Sequence, residues 1–269
     1  MSMNRAYISC LKKIRAMTGV EDLSVDPPGT IKVMDEAYPT FSSTRVALSA
    51  LRKVYPDVKM FAEEILKRKP EYVKIDENQK PTAKQEESYI SWENVLQFRD
   101  EYYEDMSPVQ RLLMALYTYA PPVRADYTPM RVVDKKPKKL EDGMNYVVLN
   151  KSPYFLFHAY KTHATYGDQC IPIPVKLRKE IDTYLGSHPG EYLFQDNGVP
   201  WVSARLAATF KKIFQKFHDM DFGITMMRHS YLTHFHKGAK PMADMKKVSG
   251  KMMHSPWMNM AYRFIELED

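Results

Sequence analysis

The sequence has few cysteines and no long hydrophobic run. Only two cysteines, Cys10 and Cys170, occur in 269 residues, and they are too few and too far apart for a disulfide framework or a cysteine-rich zinc site. No apolar run approaches the roughly 18 residues that span a bilayer, and the N-terminal residues lack the apolar stretch of a signal peptide. We therefore expect an intracellular protein in a reducing compartment, without a membrane partner.

Sequence signatures of cofactors are also missing. The chain has ten glycines and no glycine-rich phosphate loop, which argues against an ATP-driven activity. Five histidines are candidate metal ligands: His158, His163, His229, His234 and His236. They show no closed ligand spacing, and a separation of two residues on a helix points side chains in different directions. We therefore expect neither a metal nor another cofactor.

The charge lies in two basic blocks. Residues 1–70 carry 12 basic and 8 acidic side chains (+4), residues 71–90 carry 3 and 5 (−2), and residues 91–269 carry 24 and 20 (+4), which sums to the net charge of +6. Two basic blocks around a slightly acidic strip are typical of two lobes that both touch a polyanion. Duplex DNA is the predicted partner.

The local patterns predict a two-domain chain. Residues 1–68 read as a helical DNA-binding domain, with a loop at Pro27, Pro28 and Gly29 and a helix break at Pro56. Residues 69–90 are polar and read as a linker. The second domain, 91–269, follows.

The second domain is predicted to be helix, helix, three strands and then five helices. Ser107, Pro108 and Gln110 form a strong helix start. The runs NYVVL, YFLFHAY and CIPIPV predict a small antiparallel sheet. The predicted fold class is mainly α with a small antiparallel β-sheet (α+β).

Five side chains stand out as candidates for chemistry: Arg124, Lys161, Arg228, His254 and Tyr262. Each alone has an ordinary structural explanation. An arginine after a helix end pairs with a nearby carboxylate or carbonyl, a hairpin lysine is solvated, and a histidine at a helix boundary serves as a cap. A tyrosine among apolar residues packs in the core with its hydroxyl bonded.

Taken in order along the chain, the motifs that carry these residues resemble the tyrosine recombinase family of integrases. PPVRADY resembles the family's first-arginine turn, and KTHATYGDQCIPIP its lysine hairpin. MMRHSYLTHF is similar to the arginine-histidine box, and MMHSPWMNMAY to the box that ends in tyrosine. The match covers residues 91–269, and within the family it resembles integrases of eukaryotic mobile elements, large DNA viruses and virophages.

The resemblance implies a role for each candidate. Tyr262 would attack the phosphodiester and form a 3′-phosphotyrosyl bond, without metal or ATP. Arg124 and Arg228 would clamp the phosphate oxygens, and Lys161 would protonate the leaving 5′ oxygen. His254 would donate a hydrogen bond to the phosphate, with His229 in support.

The sequence departs from the family pattern at two positions that matter for chemistry. Thr225 stands where the family has a histidine or lysine, and threonine cannot act as a base. Tyr127 stands where the family has an acidic residue, and Asp126 comes one position early. Two rivals therefore remain beside a recombinase: a type IB topoisomerase, and a DNA-binding protein of the same fold without catalysis.

The resemblance also implies the partners. The predicted fold is a two-lobed clamp on duplex DNA with specific recombination sites, and the predicted assembly is a tetramer on two DNA sites, monomeric or dimeric when free. The predicted location is the host nucleus or a viral factory if the protein is viral. The side chains predicted to contact DNA are Arg45, Arg52, Lys53, Lys135 and Lys136.

Overall fold

The computed structural model describes residues 5–78 and 80–265, and the chain divides into two compact units, Met1–Asn78 and Gln79–Asp269. The boundary lies inside the predicted linker of 69–90. Most of that stretch is helical, because residues 69–78 complete one helix and Ala83–Glu87 form another. None of the described helices is long and apolar enough to cross a membrane.

The first unit contains four helices: α1 (Arg5–Thr18), α2 (Pro27–Ala37), α3 (Phe41–Val54) and α4 (Lys59–Asn78). They enclose a core of their own, which includes Leu11, Ile14, Leu51 and Phe61. The break at Pro56 separates α3 from α4, as predicted.

The predicted loop at Pro27-Pro28-Gly29 is wrong, because these residues open α2. The side chain of Asp26 accepts a hydrogen bond from the Gly29 N–H at 3.1 Å and so caps the helix. Proline is compatible with the first helical positions, where its missing N–H has no intrahelical partner to lose.

The second unit is mainly helical around a small sheet. Its helices are α5 (Ala83–Glu87), α6 (Trp92–Glu101), α7 (Pro108–Thr118), α8 (His163–Tyr166), α9 (Val175–Ser187), α10 (Ser203–His218), α11 (Ile224–Phe235), α12 (Met242–Lys251) and α13 (Pro256–Ala261). Helix α7 begins with the predicted capping box of Ser107 and Gln110. Residues 112–117 of this helix are all buried, so α7 forms the centre of the core.

The main sheet has four strands in the order β1 (Met130–Val133), β2 (Asn145–Val148), β3 (Tyr154–Phe157) and β4 (Gln169–Pro172). The three predicted strands pair antiparallel as β2–β3–β4. The prediction of a purely antiparallel sheet is wrong, since β1 pairs parallel to β2 and makes the sheet mixed. A parallel neighbour is reached by a crossover and not by a tight turn, so no hairpin signal marks it.

A second, two-stranded sheet is formed by β5 (Gln195–Asp196) and β6 (Val199–Pro200). The mainly α fold with a small sheet is confirmed, and the sheet has one function for the site. Its strand ends hold both the turn that carries Arg124 and the loop that carries Lys161.

Candidate active site

The centre of the candidate site is Arg228, on α11. Its side chain is 1% exposed. One guanidinium nitrogen, Nη1, donates to the Pro122 carbonyl at 2.9 Å, and Nη2 donates to Nδ1 of His254 at 2.9 Å. Its Nε has no hydrogen-bond partner among the described residues, where no carboxylate pairs with the guanidinium either. A buried cation held only by neutral acceptors is costly unless an anion joins it.

His254 follows α12 and is buried beside this guanidinium. Because Nδ1 accepts from Arg228, the ring proton of the neutral imidazole is on Nε2. That nitrogen is also buried and forms no well-aligned hydrogen bond among the described residues, although the Asn259 side chain lies within its reach. Burial, then the charges of Arg228 and Arg124, lower the pKa of His254 to about 3. His254 is therefore a neutral imidazole at physiological pH, with one N–H to donate.

The backbone before His254 is in an unusual conformation. Met253 has φ +55°, in the left-handed region that bulky side chains rarely occupy. The His254 N–H bonds back to the Ser249 carbonyl at 3.1 Å. This tight turn ends α12 and directs the imidazole into the interior. Such strain is retained where a side chain must be held in one place.

Tyr262 comes directly after α13 and is half-buried. Its ring lies over the Arg228 guanidinium, 4.6 Å from the guanidinium carbon to the ring centre, and its centre is 5.9 Å from that of His254. Burial lowers the pKa of Arg228, while the nearby phenol acts in the opposite direction and Arg124 lowers it further. The phenol and the two predicted phosphate-binding groups, Arg228 and His254, therefore share one pocket.

His229, the neighbour of Arg228 on α11, holds the main chain of Tyr262. Burial lowers the pKa of His229 to about 4, so its neutral ring donates from Nδ1 to the Tyr262 carbonyl at 2.8 Å. Phe264 stacks on the same imidazole at 4.2 Å, and its N–H bonds to the Thr233 hydroxyl at 3.0 Å. His229 and Thr233 thus anchor the C-terminal segment on α11, and the supporting catalytic role of His229 stays a prediction.

Arg124 lies in the turn after α7, and two contacts shape this turn. The Tyr117 hydroxyl donates to the Arg124 carbonyl at 2.9 Å, and Arg228 binds the carbonyl of Pro122. Arg124 is half-buried, and its charge lowers the pKa of both Arg228 and His254. The sequence-predicted residues Arg124, Arg228, His254 and Tyr262 are therefore brought together.

Asp126 is the acidic residue of the Arg124 turn. Burial raises the pKa of Asp126, and the charges of Arg124 and Arg228 oppose that rise. The carboxyl thus lies within the electrostatic reach of both arginines. Tyr127, at the position where the resemblance led to an acidic residue, is a fully buried core aromatic whose hydroxyl bonds to the Leu116 carbonyl.

Lys161 lies in the loop between β3 and β4, hereafter the Lys161 loop (residues 158–168). Its side chain is exposed, so the structure does not place the ammonium within the Arg228 pocket. The loop itself borders the pocket, because the Thr162 hydroxyl donates to the Met253 carbonyl at 2.8 Å. Tyr166 and Gln169 also line a cavity of about 260 Å³ together with His254.

Asn145 is a positioning residue that the sequence analysis did not identify. It is fully buried at the start of β2, and its Nδ2 donates to the carbonyls of Asp126 at 2.8 Å and Ala159 at 3.0 Å. Its Oδ1 accepts the N–H groups of His158 at 2.8 Å and Ala159 at 2.7 Å. One amide therefore fastens the Arg124 turn to the Lys161 loop. An asparagine at the head of an apolar strand was the available signal.

Thr225 lies in the first turn of α11 and is exposed. It lines a cavity of about 640 Å³ whose wall includes Lys84, Lys211 and Asp221. The two lysines form ion pairs with that aspartate, at 3.8 Å and 2.6 Å. Thr225 contributes a hydroxyl here and no titratable group.

The side chains predicted to contact DNA are all exposed. Arg45, Arg52 and Lys53 lie on α3 of the first unit, and Lys135 and Lys136 follow β1 in the second. Their exposure is compatible with phosphate contact, which stays a prediction.

The Lys161 loop also holds a cluster that the histidine spacing did not reveal. Asp168 Oδ1 is 2.6 Å from His158 Nδ1 and 3.0 Å from His163 Nε2. The two imidazoles hold the pKa of Asp168 below its ordinary value. The missed signal was an aspartate ten residues after His158, which the β3–β4 pairing brings back alongside it.

Comparison with known proteins gives a likeness of fold. No protein-family model and no curated protein matches the sequence. Among solved structures, the crystal structure of XerA recombinase is similar over 96% of this chain and 86% of that chain, with 12% sequence identity and a TM-score of 0.49. At this identity the likeness concerns the course of the backbone.

Proposed function

We propose that the protein is a site-specific DNA recombinase or integrase that cuts and rejoins DNA strands through a covalent bond to Tyr262. The observation that carries the proposal is the stacking of the Tyr262 ring on the buried guanidinium of Arg228, which in turn binds His254. A nucleophile, a cation and a neutral N–H donor share one pocket.

Among the described residues no carboxylate forms an ion pair with Arg228, and Asp126 acts on it only through its charge at longer range. Arg228 and His254 each keep one buried N–H that forms no well-aligned hydrogen bond among the described residues, and a buried unsatisfied donor costs about 1–3 kcal/mol. The charge of Arg124 adds to the same field. A phosphodiester supplies both the missing charge and the missing acceptor oxygens. Arginine suits this task because its guanidinium stays charged and binds phosphate in a fixed fork.

The reaction transfers a phosphoryl group between two oxygens. The Tyr262 hydroxyl oxygen bonds to phosphorus, the bond from phosphorus to the 5′ oxygen breaks, and the phenol proton leaves to solvent. Lys161 donates a proton to the departing 5′ oxygen, and this step requires its exposed loop to close on the bound DNA. Rejoining is the reverse reaction with a new 5′ hydroxyl. Preorganised charge on the phosphate supplies most of the rate enhancement.

In the proposed assembly, each of the two units contacts duplex DNA and four protomers hold two recombination sites, without metal or nucleotide in the chemistry. Phosphate contacts by Arg45, Arg52, Lys53, Lys135 and Lys136 would make the affinity depend steeply on salt.

A second candidate is a DNA-binding protein that does not cleave. Thr225 favours this candidate, because its exposed hydroxyl stands where tyrosine recombinases, which the sequence resembles, have a basic side chain. A threonine hydroxyl cannot accept the proton of the Tyr262 phenol. A type IB topoisomerase, with the same groups acting in a monomer, is the third candidate.

The decisive experiment is a covalent trap. A pool of duplexes with a randomised segment and a nick one nucleotide from each candidate cleavage position is incubated with the protein, and complexes that resist denaturation are sequenced. Wild type should form a phosphotyrosyl adduct, and Tyr262→Phe should not. Tyr231→Phe, which removes another partly buried hydroxyl from α11 itself, should react like wild type.

The outcomes separate the three candidates. Adducts followed by exchange between two duplexes support a recombinase. Adducts with plasmid relaxation by a monomer, and no exchange, support a topoisomerase. Retention of DNA by wild type without any adduct would contradict the proposed chemistry and support the binding protein.

A further inference from the structure

The Lys161 loop carries three potential metal ligands at one point. His158 directly follows β3, His163 begins α8 and Asp168 directly precedes β4. One ligand atom from each lies within 4.8 Å of the other two. The side chains of His158, His163 and Asp168 are 23%, 36% and 35% exposed. The group is therefore open to solvent and to ions.

We propose that His158, His163 and Asp168 form a binding site for one divalent transition-metal ion of the Zn²⁺ class. In a tetrahedral site with bonds near 2.1 Å, neighbouring ligand atoms are about 3.4 Å apart. The two distances to Asp168 Oδ1, 2.6 Å and 3.0 Å, need only small movements to reach that value. The imidazole planes are nearly perpendicular, at 73°, so two nitrogens can point to a common centre.

The arrangement differs from what a simple loop clasp requires. One histidine bonded to Asp168 would close the loop, and a carboxylate offers two oxygens to two donors. Here both imidazoles approach the same oxygen, Oδ1. The two imidazole nitrogens and this oxygen are therefore close enough together to bind one cation between them.

The backbone around the ligands is already held in place. Asn145 accepts the His158 N–H at 2.8 Å, and the Tyr160 hydroxyl donates to the Gly167 carbonyl at 2.7 Å. Gly167 has φ +62°, which glycine adopts readily and which turns the chain so that Asp168 faces the histidines. Because the backbone of the three ligands is already fixed, binding of an ion would restrict only the side chains and so would cost little conformational entropy.

Ligand chemistry defines the class of ion. Two imidazoles and one carboxylate suit Zn²⁺, Co²⁺ or Ni²⁺, whereas Mg²⁺ and Ca²⁺ prefer sites made of oxygen alone. Three protein ligands leave the fourth tetrahedral position to water. In terms of the proposed function, on which this one consequence rests, the ion would stiffen the loop that presents Lys161 to DNA.

The site is tested on the full-length protein without DNA, so that its outcome is independent of the proposed strand chemistry. Calorimetric titration with Zn²⁺ should show saturable binding of one ion per chain, with three protein ligands and an open fourth position. Co²⁺ should give the absorption of a tetrahedral nitrogen–oxygen site, and Mg²⁺ should not compete.

Three variants and two controls locate the ion. His158→Ala, His163→Ala and Asp168→Asn should each weaken Zn²⁺ binding by at least roughly 10- to 100-fold, the loss that follows removal of even an outer-shell partner. His234→Ala removes a surface histidine that pairs with Glu93 at 2.9 Å and should bind like wild type, as should Cys170→Ser. Unchanged affinity in the three ligand variants, or loss of binding in either control, would overturn the site. Circular dichroism confirms that each variant is folded.

Discussion

The second unit holds two groups of histidines whose environments are opposite. His229 and His254 are buried and have pKa values of about 4 and 3, because burial and nearby arginine charge disfavour their protonated forms. His158 and His163 lie at the surface and share the carboxylate of Asp168. Environment alone thus makes one pair neutral hydrogen-bond donors and the other a candidate ligand set for a cation.

The two groups are joined by short physical links. Asn145 fastens the Lys161 loop to the Arg124 turn, and Thr162 bonds the loop to the main chain beside His254. The buried and the exposed histidines therefore belong to one connected structure. Three changes test how they differ: removing the charge of Arg228, lowering the pH, and removing the hydrogen bond of Thr162.

Removing the charge at the buried centre should have the largest effect. Arg228→Lys keeps a cation but loses the fork that binds Pro122 and His254, so we expect adduct formation to fall about 10²- to 10³-fold, as for loss of one preorganised donor. Single-turnover cleavage of a nicked duplex measures it.

Arg228→Met provides the matched stability control. Methionine has a side chain of similar length and no charge. The relief of no longer burying a charge offsets the loss of the hydrogen bonds to Pro122 and His254. We expect a folded protein with a melting temperature close to wild type and no adduct. An adduct at the wild-type rate in either Arg228 variant would contradict the assigned clamp.

Changing the pH should have an intermediate effect. The folded pKa values of His229 and His254 are lowered from the ordinary 6.5, so the unfolded chain takes up protons that the folded chain does not. The contribution of these two histidines to the free energy of unfolding is therefore fully present above about pH 6.5. It is lost as the pH falls toward about 4 for His229 and about 3 for His254. From pH 7 to pH 5 each buried imidazole should lower the free energy of unfolding by about 1–2 kcal/mol.

Urea unfolding at both pH values checks this. His254→Gln should lose about half of the drop, and Tyr262→Phe, which keeps both imidazoles, should retain all of it. A drop of equal size in wild type and His254→Gln would show that the burial of this imidazole is not what sets the slope.

Cutting the link between the groups should have the smallest effect. Thr162→Val keeps the side-chain shape but loses the hydrogen bond to the Met253 carbonyl, and we expect strand cleavage to slow roughly 3- to 10-fold, in line with a lost bond of about 1 kcal/mol. Thr165→Val, an exposed substitution in the same loop, should cleave like wild type. Faster hydrogen exchange in residues 158–168 of the Thr162 variant alone would locate the effect.

Local signals predicted those parts of the fold that depend on neighbouring residues. The capping box at Ser107 placed the start of α7, and the apolar strand runs placed β2, β3 and β4. Strand β1 and the opening of α2 escaped, the first because its partner is distant in the sequence and parallel. The start of α2 was not predicted because two prolines and a glycine together are typical of a loop, whereas proline can also begin a helix.

The sequence predicted which candidate residues would meet better than it predicted how they meet, and their catalytic roles stay a prediction. The order of arginine, lysine, arginine, histidine and tyrosine identified four groups that do meet. The bond between Arg228 and His254, the amide of Asn145 and the meeting of Asp168 with two histidines arise from packing between distant segments. The periodic pattern of apolar residues carries no information about such contacts. A polar residue within an apolar strand, such as Asn145, does indicate that a buried hydrogen-bonded contact exists, because buried polar groups are hydrogen-bonded.

The hydrogen bond from His229 reaches the main-chain carbonyl of Tyr262 and does not involve the Tyr262 phenol. A DNA strand joined to that phenol would pull on a peptide unit already fastened to α11, and α11 also carries Arg228. Tension from a swivelling duplex would then be transmitted to the helix as a whole. The covalent link and the group that grips the phosphate would be displaced together, so the distance between them, on which religation depends, would survive the motion.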